Sequence, residues 1–189
     1  MVQDLAATIT EPVVAVGHSM VGQGVAHLAD QHSELVQTIV VIDSAYGADD
    51  AEMARCPAPL HDLRTRGTDF GVEFVDRAFT GADGTPLHLA ARTQMAHTPG
   101  PVLADLYESM YLTPTSIAAR PAGRESLPPH HHQALPQPLL QRVRVAFART
   151  IAWTADSEIE VWPGTTHYLH QQHAAQFSEL LKTWVFQTH

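Results

Sequence analysis

The chain has 189 residues, is 44% apolar and carries a formal net charge of −9 with its 13 histidines neutral. That length suits one domain with a sizeable core and a small insertion. With 11 Lys and Arg and no basic cluster among them, nothing in the chain neutralises a run of phosphates, which excludes a nucleic-acid partner.

A single cysteine, Cys56, cannot close an internal disulfide, which fits a reducing, cytoplasmic setting. The opening MVQDLAATITEP has no basic stretch leading into an apolar one, unlike a signal peptide. No apolar run reaches the roughly 18 residues that a membrane span needs. A small-molecule substrate is the expected partner. Oligomeric state is not legible.

In chain order, VVAV at 13–16 reads as a short buried strand. From Met20 to Asp30, MVGQGVAHLAD suits a helix with Val21, Val25 and Leu28 on one face. TIVVI at 38–42 is a second buried strand, closed by Asp43-Ser44. Strand, helix, strand in so short a span is a βαβ unit, which predicts a parallel sheet and a right-handed crossover. The middle changes character: DFGVEFVDRAF (69–79) and PVLADLYESMYL (101–112) are helical stretches broken by Pro and Gly. PAGRESLPPHHHQALPQP (121–138) reads as a loop or flexible linker. RVRVAFA (142–148) alternates like a strand, and EIEVW (158–162) is a clearer one. PGTTH then turns the chain into HAAQFSELLKTWVF (173–186), an amphipathic terminal helix. The segments divide into a core part at 1–48, a helical insertion at 49–135 and a second core part at 136–189.

The bend at Gly17-His18-Ser19-Met20 joins the first strand to its helix. A serine there lifts its Oγ above the sheet edge, in front of a helix N-terminus that offers backbone N–H groups and a positive dipole end. That suits a nucleophile, and the pattern approaches the G-x-S-x-G elbow. It departs from it in one place: Val21 holds the second glycine position and Gly22 follows one residue late. The other role for a serine at this point is that of a plain N-cap. His167 follows the strand EIEVW, and in a parallel sheet the functional loops gather at the carboxyl ends of strands, so Ser19 and His167 are expected on one sheet edge.

Three stretches, VVAVGHSMVGQGVAHLA, IVVIDSAYG and VWPGTTHYLHQQHAAQFSELLKTWV, resemble parts of the α/β-hydrolases of lipase, esterase and haloperoxidase type. They are similar, in order, to the nucleophile strand with its elbow and helix, to the next strand, and to the last strand with its histidine loop and terminal helix. The resemblance implies an α/β fold, a mostly parallel sheet flanked by helices, with a helical cap insertion. It implies a serine hydrolase of a small ester or related acyl compound, working without a cofactor. Ser19 would be the nucleophile, His167 the base and the Met20 N–H an oxyanion donor. The acid is Asp43 if it follows the strand after the elbow, as in haloalkane dehalogenases; Asp156 is the other candidate. A turn cap remains the alternative role for Asp43. His18, Tyr107 and Tyr111 are candidates for contact with substrate, and core packing is as good an account of the two tyrosines.

In complete members of that family, strands upstream of the elbow carry the loop that supplies the second oxyanion donor. The residues before Val13 hold no such loop. The expectation is a C-terminal part of the fold with an open sheet edge, which leaves an impaired remnant or an interaction module as the alternative to an active hydrolase. A cofactor-free haloperoxidase is a further alternative. His130-His131-His132, and His167, His170 and His173, lack zinc-motif spacing, so no metal is expected. Gly17, Gly22 and Gly24 lack the order of a dinucleotide loop.

Overall fold

The computed structural model describes residues 2–44, 54–79, 81–112, 131–137 and 158–186. Helix α1 (Val2–Ala6) precedes strand β1 (Val13–His18), helix α2 (Met20–Gln31), a 3-10 turn at Ser33–Leu35 and strand β2 (Val36–Ile42). Four helices follow: α3 (Pro57–Arg66), α4 (Thr68–Ala78), α5 (Pro86–Ala96) and α6 (Gly100–Tyr111). Strands β3 (His131–Gln137) and β4 (Glu158–Pro163), the short α7 (Leu169–Gln172) and α8 (Ala174–Phe186) complete the described residues. The strands form one parallel sheet in the order β1-β2-β3-β4.

β2 explains why the sheet is buried on both faces. Ile39, Val40 and Val41 are wholly buried and Ile42 nearly so. Such an unbroken β-branched run is what a parallel strand covered on two sides requires. Ile39 and Val41 join Ala15, Val25, Ala26, Leu28 and Ala29 in the core beneath α2. Ile42, on the other face by strand alternation, meets Trp162, Leu169, Phe177 and Leu180 beneath α7 and α8.

The four helices of the middle segment pack among themselves. Leu60, Leu63 and Ala104 bring α3 to α6. Val75, Phe79 and Ala91 bring α4 to α5, and Tyr168 from the loop after β4 packs into this second cluster. An ionic tie steadies the α4–α5 pair. His88 Nε2–H donates to Asp76 Oδ1 at 2.8 Å, Gly84 N–H donates to His88 Nδ1 at 2.9 Å, and Arg92 reaches the same carboxylate at 2.6 Å. His88 and Arg92 together hold the Asp76 carboxyl below the usual carboxylate range, the His88 hydrogen bond foremost.

Three expectations change. The proline-rich stretch at 121–138 is not all linker, because 131–137 form β3, bonded between β2 and β4. Its prolines and histidines mask a strand whose place comes from its two neighbours, a tertiary effect that local composition does not register. Val21 does not share the buried face of α2; it is 42% exposed, and the face against the sheet runs through Gly22, Val25, Ala26 and Ala29. β1 is only partly buried, because among the described residues it pairs on one side alone, and Val16 is 40% exposed. The expected strand at 142–148, His130 and Asp156 lie outside the described residues.

The late glycine is the one the packing demands. A Cβ on Gly22 would meet Ser44 Oγ at 1.8 Å and Val41 Cγ1 at 2.9 Å. Gly17 is equally closed, since its Cβ would lie 2.6 Å from the Val21 carbonyl oxygen. Crossing of α2 over β2 therefore rests on Gly22, and Val21 can be a valine because its side chain turns outward. Gly22→Ala is expected to destabilise the fold by about 1–3 kcal/mol through overpacking. A urea midpoint unchanged from the parent would show that the contact is not close.

Candidate active site

β1 and β2 end level with each other. His18 pairs with Ile42 across the parallel ladder, so Ser19 and Asp43 leave neighbouring strands side by side. Both take a backbone conformation that residues other than glycine seldom adopt: φ is 53° at Ser19 and 42° at Asp43. Strain of this kind costs on the order of 1–3 kcal/mol and persists only where the surroundings over-determine it.

At Ser19 they do. Its N–H donates to the Ile42 carbonyl at 2.9 Å, and its own carbonyl accepts from Gly22 N–H at 3.0 Å and from the Ser44 hydroxyl. Ser19 occupies the N-cap position of α2, yet its side chain makes no capping hydrogen bond. The plain N-cap role therefore has no hydrogen bond to support it, and its φ lies far from the β-region of an ordinary cap. Met20 opens α2, in the turn whose N–H groups have no partner within the helix.

His167 arrives from the loop after β4, which its own threonines shape. Thr165 Oγ–H donates to the Trp162 carbonyl at 2.8 Å, and Thr166 gives both its N–H and its hydroxyl to Gln172 Oε1 at 2.8 and 2.9 Å. Gly164 supplies the positive φ of 73° at the turn. Three elements then grip His167 itself. Its Nδ1 lies 2.5 Å from Asp43 Oδ2, its carbonyl accepts from His18 Nε2–H at 2.9 Å, and its N–H reaches the Ala78 carbonyl at 3.4 Å. The Asp43 side chain is 2% exposed. A carboxylate can only accept, so Nδ1 carries the hydrogen and Nε2 of the neutral ring keeps a lone pair.

Aromatic rings surround this imidazole. His18 lies 4.4 Å from it between ring centroids, Tyr168 5.4 Å, and Phe74 of α4 approaches edge-on at 6.3 Å while 47% exposed. His18 also lies 4.6 Å from His170 and 5.2 Å from Tyr168. Tyr168 stacks on Phe79 at 4.5 Å. Burial pushes the His18 pKa down to about 4, with the His167 and His170 rings adding in the same direction and the hydrogen bond to the His167 carbonyl, then Asp43, opposing. Burial likewise lowers His170, whose Nδ1 is buried without a hydrogen-bond partner, and raises the Tyr168 phenol.

The structure thus brings together Ser19, Asp43 and His167 with His18 beside them. Tyr107 and Tyr111 pair at 4.8 Å on α6, and Tyr107 packs on the α3–α6 cluster. Sequence reasoning missed Phe74, Phe79 and Tyr168. The first two sit in an amphipathic helix where aromatics read as ordinary core, and nothing local says that α4 returns to the histidine loop. Among the described residues no group of three His, Cys, Asp or Glu side chains could hold a metal ion, and no helix is long and apolar enough to cross a membrane.

No family model and no curated protein matches the sequence. Solved structures do resemble it. A thermophilic esterase from Thermogutta terrifontis is 18% identical with a TM-score of 0.71, over 99% of this chain and 68% of its own. An esterase from Exiguobacterium antarcticum is 14% identical with a TM-score of 0.73, over 98% of this chain and 72% of its own. MenH from S. aureus is 13% identical with a TM-score of 0.72, over the same two shares. At these identities the likeness is one of fold.

Neutral His18 gives folding a pH dependence of definite sign. In the unfolded chain a histidine titrates near 6.5; in the fold His18 stays neutral down to about 4. Between those values the unfolded chain binds the extra proton, so stability is full above about pH 6.5 and falls as pH drops towards 4. Thermal unfolding followed by circular dichroism from pH 7.5 to 4.5 should show this decline, and His18→Phe should flatten it. An equal decline in parent and variant would remove His18 as its source.

Proposed function

Because the chain has the α/β-hydrolase fold, we propose that it is a serine hydrolase of small esters or related acyl compounds. The observation that carries this reading is the buried Asp43 carboxylate against His167 Nδ1 at 2.5 Å, at the strand edge where Ser19 is held in a strained elbow. Ser19 Oγ attacks the carbonyl carbon while His167 Nε2 takes its proton. Asp43 keeps the imidazole in that tautomer and stabilises the imidazolium that forms. The Met20 N–H, at the positive end of α2, donates to the developing oxyanion. His167 then returns the proton to the leaving alcohol, and water attacks the acyl-serine by the same steps reversed. Phe74, exposed beside the imidazole, offers an apolar wall and favours substrates with an apolar acyl or alcohol group.

The test is hydrolysis of short p-nitrophenyl esters together with labelling by a fluorophosphonate probe. Ser19→Ala is expected to abolish both, and His167→Ala to remove labelling without unfolding the chain. Asp43→Asn keeps the shape but favours the wrong tautomer, and should lower turnover by about 10⁴-fold. Asp156→Asn, the rival acid, should change little. Labelling that survives Ser19→Ala overturns the nucleophile, and a large loss in Asp156→Asn with none in Asp43→Asn moves the acid. A folded protein that neither hydrolyses esters nor takes the probe favours the impaired or interaction-module reading.

A further inference from the structure

The residue between Gly17 and Ser19 has no part in the chemistry just described, yet its side chain ties the elbow to the histidine loop by a hydrogen bond. His18 Nε2–H donates to the main-chain carbonyl of His167 at 2.9 Å, across 149 residues of sequence. A carbonyl can only accept, so this bond fixes the His18 tautomer with its hydrogen on Nε2. The ring is wedged among three others, His167 at 4.4 Å, His170 at 4.6 Å and Tyr168 at 5.2 Å. The groups facing it are therefore Asp43, at the end of β2, and His167, Tyr168 and His170, which follow β4.

We propose that His18 is a positioning residue, which locks the histidine loop to the elbow so that the His167 imidazole meets Ser19 Oγ in one geometry. This rests on the hydrolase reading for its catalytic consequence, though not for the lock itself. Asp43 fixes only how the imidazole is turned, because it holds a ring nitrogen. His18 holds the backbone of the same residue and so fixes where the ring stands. Since His18 and Ser19 are consecutive, any shift of the nucleophile strand moves both ends of the reacting pair together. The bond also commits Nε2 of His18 to the loop and not to a ligand.

Two variants separate the lock from mere packing. His18→Phe keeps an aromatic ring among its neighbours but has no donor. His18→Gln keeps an amide N–H at a similar reach without the ring. Displacement of a reacting group by about 1 Å can cost on the order of 100-fold in rate, so His18→Phe should lose at least about tenfold in kcat on p-nitrophenyl acetate. Its KM should stay within about threefold of the parent, since the bond that is lost runs to the His167 carbonyl. His18→Gln should recover most of the lost kcat. A parental kcat in His18→Phe, or a His18→Gln variant no better than His18→Phe, overturns the proposal. If His18→Phe fails to fold, His18→Leu serves as the donorless variant with the same criteria.

A readout independent of turnover keeps the lock distinct from the hydrolase reading. The His167 Nδ1–H proton, held against Asp43, should give a far-downfield resonance in the proton NMR spectrum of the parent, absent from Asp43→Asn. In His18→Phe it should broaden or vanish through faster exchange with water, and it should return in His18→Gln. This holds even for a protein inert to every ester. A resonance equally sharp in parent and His18→Phe overturns the lock whatever the enzyme assays give.

Discussion

Three contacts to a single residue organise this molecule. His167 is bound through its ring to the end of β2, through its carbonyl to the end of β1, and through its N–H to the end of α4. Each bond alone contributes about 1 kcal/mol net, somewhat more where a carboxylate accepts. Their significance is geometric: they come from three directions and leave the imidazole no soft coordinate. Tyr168, the next residue, extends the grip by stacking on Phe79 and inserting into the α4–α5 cluster. A loop with two small threonines and a glycine becomes rigid because both the sheet and the helical layer bind it.

The strain at Ser19 and Asp43 belongs to the same arrangement. Neither residue is glycine, and both sit at positive φ where their strands end. Ser19 is kept there by bonds from Ile42, Gly22 and Ser44 and by the absence of any Cβ at Gly17 and Gly22, which lets α2 cross close over β2. A strained turn held this firmly displays its side chain at a fixed point above the sheet edge. The helical layer adds what the sheet lacks: α4 lays an exposed Phe74 beside the imidazole. Asp76, His88 and Arg92 tie α4 to α5 from the far side, so the wall is part of the fold and not a free flap.

Much of this was legible in the chain. The β-branched runs at 13–16 and 38–42, the Gly-His-Ser bend and the histidine after EIEVW each carry a local signal, and each falls in or beside the element that signal points to. The choice of Asp43 over Asp156 as the neighbour of His167 was not fixed by pattern, because an aspartate after a strand also serves as a turn residue. It is the register of β1 on β2 that brings Asp43 level with Ser19. β3 was hidden for a related reason: HHQALPQ has neither alternation nor an apolar run, and its strand geometry comes from pairing with β2 and β4. Gly22 misled in the opposite direction. Judged against an elbow pattern it stands one residue late, but the contact that matters is with Ser44 and Val41, and helix rotation places the third residue after Ser19 there.

The nearness of two imidazoles raises a last physical question, namely which of them takes a proton. With centroids 4.4 Å apart, His18 and His167 cannot both be charged without strong repulsion. The fold separates them by environment. His18 is enclosed by rings and donates to a carbonyl, and its burial keeps it neutral down to about pH 4. His167 instead holds its Nδ1 against the Asp43 carboxylate. A lysine or arginine at position 18 could also hold the carbonyl, but its charge would oppose every imidazolium formed beside it. A neutral histidine supplies the donor without the charge.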